Sequence, residues 1–81
     1  MRASIYDFRS REYTDGEISD GSSAYEADMD KVVPCASCGL RHTFGSMYTS
    51  RRIHTGMGFG YAVCLECYER EWADEKEAEN G

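Results

Sequence analysis

Apolar residues recur at helical spacing in the last part of the chain. Leu65, Tyr68 and Trp72 stand at positions i, i+3 and i+7, so one face of a helix would carry all three. The pattern predicts a helix over about 64–76. Glutamates continue beyond it, where they oppose the helix dipole, so we expect a frayed acidic C-terminus over 77–81.

The middle of the chain has the composition of a β-hairpin. β-branched and aromatic residues are concentrated in 43–49 and in 59–63, which favours a strand in each segment. The stretch 50–58 between them is rich in glycine and basic residues and is typical of a loop.

The first 31 residues show no sustained apolar period. They carry eight acidic and four basic residues among many turn formers, which predicts a largely disordered acidic tail. Several apolar anchors nevertheless interrupt this tail, namely Ile5, Tyr6, Phe8, Tyr13, Ile18, Tyr25 and Met29. Either the tail orders on a partner protein, or 5–8 folds back as an edge strand on the rest of the molecule.

Four cysteines organise the chain after residue 31: Cys35, Cys38, Cys64 and Cys67. They form two C-x-x-C pairs with 25 residues between them, close to the spacing of two-pair zinc sites. Two thiolates of one pair converge on an ion about 2.3 Å away, and a second pair completes the tetrahedron. We therefore predict one structural Zn²⁺ ion bound by all four cysteines.

Other uses of four cysteines explain this chain less directly. Disulfides need an oxidising compartment, and the N-terminal stretch lacks the apolar core of a secretory signal. A thioredoxin-like dithiol needs a βαβ unit, for which the chain is too short. Iron stays an alternative because four thiolates suit it as well. Reduced cysteines lead us to expect an intracellular, cytoplasmic protein.

With 81 residues the chain holds at most one small domain, which would need a metal to supply folding free energy. We divide it into an acidic, aromatic-containing flexible tail over 1–31, a zinc-binding domain over 32–76 and the frayed end over 77–81. No stretch is apolar for long enough to span a bilayer, so we expect no membrane association.

The predicted order of zinc knuckle, β-hairpin and helix resembles the treble-clef zinc finger. The matching residues lie within about 33–76 and are Cys35-x-x-Cys38-Gly39 and Cys64-x-x-Cys67. The pattern is also loosely similar to the zinc finger of the DksA/TraR family of RNA polymerase-binding regulators. Here the gap between the pairs is longer and 1–31 cannot form that family's long helical hairpin, so its secondary-channel mechanism does not carry over. The resemblance implies a small α+β zinc-stabilised domain with a transcription-related role.

Charge is unevenly distributed along the chain, whose net charge is −6. Residues 1–31 carry −4 and 66–81 carry −5, whereas 32–65 carry +3 with no acidic residue. An acidic chain is a poor general binder of polyanions, because affinity for phosphates comes mainly from Lys and Arg. The basic middle segment would either touch nucleic acid locally or attract the acidic ends of its own chain.

Two classes of function follow. The first is protein–protein interaction, with a small acidic regulator docking on a basic surface of a partner such as transcription machinery. The alternative is a nucleic-acid-binding zinc finger in which arginines contact phosphate and aromatics stack on bases. The candidate binding residues for these two functions are Arg41, Arg51, Arg52, Tyr48, Tyr6 and Phe8.

We do not expect catalysis. A zinc ion with four thiolates has no open position, and 32–65 contain no carboxylate to hold a catalytic ion. His42 and His54 are expected to be spectators, because the four cysteines already complete the ligand set.

Overall fold

A computed structural model describes residues 1–80, which form six strands, a 3-10 turn and one helix. In chain order these are β1 (Arg2–Asp7), β2 (Glu12–Glu17), β3 (Val32–Pro34), β4 (Arg41–Thr43), the 3-10 turn (Phe44–Ser46), β5 (Tyr48–His54), β6 (Gly60–Val63) and α1 (Leu65–Asn80). This confirms a small α+β architecture with a C-terminal helix. Gly81, the last residue of the predicted frayed segment, lies outside the described residues.

Four strands make one antiparallel sheet in the order β2-β1-β5-β6, and β3 pairs with β4 in a separate two-stranded sheet. β1 pairs with β2 along its whole length and contacts β5 on its other side through Ile5 opposite Ile53. A hairpin of β5 and β6 connects the segments that carry the two cysteine pairs.

The N-terminal segment differs from the disordered tail expected for 1–31. Residues 2–17 form a β-hairpin, and β1 lies inside the sheet rather than at its edge, because β2 covers its outer side. Ala3 and Ile18 are buried in the common core, so apolar burial supports an otherwise polar hairpin. Of the two alternatives for this segment, the fold-back onto the rest of the molecule is found, but as an inner strand that ends at Asp7 and not as an edge strand over 5–8.

The core is small and is built partly of cysteine. Its buried members are Ala3, Ile18, Cys35, Ala36, Ile53, Val63, Cys64 and Cys67. Val63 and Cys35 have no exposed surface, whereas most large apolar side chains lie partly in solvent. The place that bulky apolar residues occupy in an ordinary domain is thus taken here by sulfur atoms and small side chains.

Helix α1 buries a different face from the one predicted. Its buried residues are Cys67 and Glu71, one turn apart, while Leu65 and Trp72 are about half exposed. The helix also continues through 77–80, where fraying was predicted. The apolar spacing identified the helix correctly, but the sheet binds the face that carries sulfur and a carboxylate.

Glu71 attaches α1 to a β-bulge in β5. Its carboxylate accepts hydrogen bonds from the Ser50 hydroxyl (2.5 Å) and the Arg51 N–H (2.7 Å). The Ser50 oxygen accepts in turn from the N–H groups of Arg52 (3.1 Å) and Ile53 (2.9 Å). The pairing of β5 with β6 shifts register in this stretch, so 50–54 form an irregular strand rather than the predicted loop.

We expect Glu71→Gln to lower the free energy of unfolding by about 1–3 kcal/mol. Each carboxylate oxygen now accepts a hydrogen bond, and glutamine would replace one of these oxygens by an NH₂ group, which donates and does not accept. Urea denaturation at fixed zinc concentration measures the change. Glu69→Gln is the matched control, since Glu69 is exposed on the same helix. Identical midpoints for the two variants would contradict a stabilising role for the buried carboxylate.

Gly60 in β6 packs closely against the backbone of β5. A Cβ atom at this position would collide with the Ser50 carbonyl oxygen and the Thr49 side chain, whereas a Cβ at Gly56 would meet no atom within 4 Å. We expect Gly60→Ala to cost about 1–3 kcal/mol of stability, because backbone must shift. Gly56→Ala should change it by less than about 0.5 kcal/mol in the same urea titration. A Gly60→Ala protein as stable as Gly56→Ala would refute this packing.

Candidate metal centre

The first cysteine pair lies in the turn that joins β3 to β4. The Cys35 N–H donates to the Leu40 carbonyl (2.8 Å) and the Gly39 N–H donates to the Cys35 carbonyl (2.9 Å). Gly39 has φ +82°, a left-handed conformation that glycine adopts without a steric penalty. This tight turn points two sulfur atoms to one side, as a zinc knuckle requires.

The second pair lies where β6 passes into α1. Cys64 immediately precedes the helix, and its carbonyl accepts the Tyr68 N–H (2.9 Å). Cys67 belongs to the first turn, so both sulfurs come from the helix start. The β5–β6 hairpin lies against the knuckle, because the Ala36 N–H donates to the Ala62 carbonyl (3.0 Å). This contact brings the start of the helix next to the first cysteine pair.

The four sulfur atoms fit one metal ion. All lie within 4.8 Å of one another, and Cys38 Sγ is 3.8 Å from Cys64 Sγ. A tetrahedron with Zn–S bonds of about 2.3 Å has sulfur–sulfur edges of about 3.8 Å. All four cysteines are free rather than joined in disulfides. Cys35, Cys38, Cys64 and Cys67 thus lie together as predicted, in positions that could hold one metal ion.

The protein environment shifts the pKa values of Cys35, Cys38 and Cys67 in different directions. Burial opposes ionisation of Cys35, but the N–H groups of Cys38, Cys64 and Ser37 outweigh it and lower the pKa of this thiol to about 7. These groups lie 3.3–3.5 Å from the Cys35 sulfur. Burial raises the pKa of Cys67 to about 12 and also raises the pKa of Cys38. A cation supplies the charge that lets all four ionise together, so metal binding would release protons.

Neither histidine belongs to the sulfur cluster. His42 lies in β4 opposite Val33, and His54 ends β5 with its ring 5.8 Å from that of Tyr13. The group of side chains within metal-binding distance contains cysteines alone among residues 1–80.

The structure separates the three candidate arginines. Arg51 forms an ion pair with Glu75 (2.6 Å) and its guanidinium lies 4.1 Å from the centre of the Trp72 ring. Arg52 lies 3.7 Å from Asp74, whereas Arg41 is exposed on β4. The basic segment therefore attracts the acidic helix of its own chain, one of the two outcomes that the charge distribution left open.

The candidate aromatic residues lie in two separate clusters. The helix ladder consists of Tyr48 stacked on Tyr68 (5.0 Å between ring centres) and Tyr68 edge-on to Trp72 (6.3 Å). In the hairpin cluster, Tyr6 contacts Phe8 (5.6 Å) and Tyr13 (5.0 Å). Arg51 lies beside the helix ladder, whereas Arg52 lines a surface pocket together with Tyr6 and Phe8. The six candidate residues are therefore not brought together on one surface.

Two residues that organise this region, Glu71 and Ser50, were not singled out from the sequence. The one available signal is that Glu71 follows Cys67 by four residues, which places both on the same helix face. Nothing near Ser50 in the chain indicates that its hydroxyl joins a bulge to a buried carboxylate 21 residues away.

No protein-family model matches this chain, and no curated protein or solved structure matches it either. The resemblance to the DksA/TraR finger is therefore not supported by these comparisons. Among the described residues, no helix is long and apolar enough to cross a membrane.

We expect the purified protein to contain one metal ion per chain, and Cys67→Ser to lose both the ion and the fold. Structural zinc contributes about 10–16 kcal/mol in small fingers, comparable with the whole stability of a domain. Elemental analysis and circular dichroism during chelation test this. Ser37→Ala is the control, because it lies in the knuckle and keeps all four sulfurs. A fold that survives complete chelation would exclude a structural metal.

Proposed function

We propose that the protein is a non-catalytic module stabilised by one Zn²⁺ ion. Its function would be to bind a basic surface on another protein. Residues 32–76 would form a treble-clef-type finger. In support, the β3–β4 knuckle carries the first ligand pair, the β5–β6 hairpin follows, and the first turn of α1 completes the second pair. The proposal covers the treble-clef-type fold and does not include the mechanism of the DksA/TraR regulators.

Zinc suits this centre best among common metals. Four thiolates prefer zinc or iron, and a single tetrahedral site between two knuckle-like turns is typical of structural zinc. An iron–sulfur cluster would place several metal atoms and sulfides between the cysteines, which needs wider separations than those found. With four thiolates bound, zinc keeps no position for a water molecule, which supports a structural role.

The observation that carries the proposal is the aromatic face of α1, which the rest of the chain covers only in part: Tyr68 packs on the core and Arg51 lies over the Trp72 ring. Leu65, Tyr68 and Trp72 follow one stripe of the helix, and Tyr48 extends it onto β5. Leu65 is 48% exposed, Trp72 49% and Tyr48 43%. Aromatic side chains of this kind are enriched among the residues that contribute most to protein–protein binding.

The negative charge of α1 favours a partner with a basic surface. Helix α1 contains seven acidic and two basic residues, and Glu66 and Glu69 lie exposed near the aromatic face. A second copy of the chain would place like charges against each other across this face, which is unfavourable. We therefore assign the face to a basic surface of a different protein. Basic surfaces are common on proteins that handle nucleic acid, such as transcription machinery, where this module would act as a regulator.

Nucleic-acid binding receives less support from the arrangement of charges. Two of the three arginines in 32–65 are already paired with helix carboxylates. An isolated Arg41 supplies one phosphate contact, whereas affinity for nucleic acid rises with the number of phosphates neutralised.

The test uses the full zinc-loaded chain as bait in a cell lysate, followed by purification and direct titration of each protein retained. We expect a partner whose binding weakens with salt and falls at least about fivefold for Leu65→Ala, which truncates the aromatic face. Leu40→Ala is the matched control, because Leu40 is an exposed leucine in the knuckle, away from α1. Its affinity should stay within about twofold of the unmodified protein.

Two results would overturn the proposal. One is that no retained protein binds directly, or that Leu65→Ala and Leu40→Ala bind equally well. The other is tight binding of labelled single- or double-stranded oligonucleotides at low salt that is lost in Arg41→Ala, which would favour the nucleic-acid alternative.

A further inference from the structure

The two edges of the four-stranded sheet differ. At β6, the Ala62 N–H donates to the Ser23 carbonyl (2.8 Å) and the Ala62 carbonyl accepts the Ala36 N–H (3.0 Å), so other segments cover this edge. At the opposite edge, β2 pairs with β1 on one side and has no strand on its other side within residues 1–80.

The register of the hairpin shows which backbone groups of β2 face outward. The Ile18 N–H donates to the Met1 carbonyl (2.7 Å), and hydrogen-bonded and non-hydrogen-bonded pairs alternate along an antiparallel ladder. Counting back from Ile18, the N–H and C=O groups of Tyr13, Asp15 and Glu17 point away from β1. No hydrogen bond between described residues uses these outward groups.

The side chains of β2 make this edge acidic. Glu12, Asp15 and Glu17 are exposed, and the strand contains no basic residue. Glu17 already pairs with Arg2 and with the N-terminal amine, so Glu12 and Asp15 are the carboxylates without an ion pair among the described residues. Pairing of β2 with β2 of a second copy would bring carboxylates opposite carboxylates, which destabilises a strand pair. An incoming strand with Lys or Arg would instead place opposite charges across the new ladder.

An aromatic contact lies at one end of the same edge. Tyr13 is 60% exposed, yet its ring lies against those of Tyr6 on β1 (5.0 Å between ring centres) and His54 on β5 (5.8 Å). A side chain that is already oriented loses less conformational entropy when a partner packs on it.

We infer that β2 binds an extended basic segment of another protein, which joins the sheet as a fifth strand. Main-chain hydrogen bonds to Tyr13, Asp15 and Glu17 would supply affinity, and cross-strand pairs with the carboxylates would select Lys or Arg at alternate positions. This inference rests on the proposed protein-binding function and specifies the conformation and charge of the bound segment. It uses a surface separate from the aromatic face of α1.

The experiment titrates the zinc-loaded full chain with a capped seven-residue peptide in which Lys or Arg alternates with Thr or Val. Amide NMR shifts are expected to change chiefly over 13–17, with affinity that falls as salt rises. A peptide with Glu at every basic position is expected not to bind. A basic peptide with methylated backbone nitrogens tests the need for main-chain hydrogen bonds.

Two variants at one position separate charge from backbone pairing. Asp15→Asn removes a carboxylate and keeps the outward N–H, so affinity should fall about two- to fivefold. Asp15→Pro also removes the outward N–H, which no bond to β1 uses, and should weaken binding about tenfold or more. Zinc content and the amide spectrum of each variant show whether the fold is kept.

Equal affinity for the basic and acidic peptides, shifts centred outside β2, or no loss on backbone methylation would overturn the inference. If the peptide fails while an identified partner still depends on Leu65, the edge inference fails and the proposed function stands. If both fail, the protein-binding function fails as well.

Discussion

The convergence of four sulfur atoms is the constraint on which the rest of this structure depends. Cys35 lies with no exposed surface at the centre of the core, and three backbone N–H groups are directed at its sulfur. Most large apolar side chains lie partly in solvent and do not fill that space. The cysteine cluster therefore occupies the position of a core that a chain of 81 residues rarely builds from hydrocarbon alone. The knuckle, the β5–β6 hairpin and the first turn of α1 must all meet at this one point.

Around this centre, opposite charges determine how the helix docks. Glu71 is buried and accepts hydrogen bonds from the irregular stretch of β5. Farther along the helix, Glu75 pairs with Arg51 and Asp74 pairs with Arg52. This arrangement turns sulfur and carboxylate toward the sheet and leaves Leu65 and Trp72 about half exposed. The same contacts pair two of the three arginines in 32–65 with carboxylates of the helix.

The remaining surface of the molecule is acidic in two places, the exposed side of α1 and the open edge of β2. Both favour a basic partner, but they would recognise it differently. The helix offers aromatic side chains to a folded surface, whereas the strand offers main-chain groups to an extended segment. Both surfaces stay accessible because the cysteine cluster, rather than a set of buried aromatic residues, lies at the centre of the core.

The four candidate metal ligands could be predicted from the sequence, because a C-x-x-C pair brings two sulfurs together through local geometry alone. Local periodicity likewise identified α1. Long-range contacts account for the other features: the polar segment 2–17 becomes a hairpin, 50–54 form a strand, and α1 buries Cys67 and Glu71 while Leu65 and Trp72 stay about half exposed. Those outcomes depend on partners far along the chain, such as Ser50 and Glu71 at a separation of 21 residues, which no local pattern records.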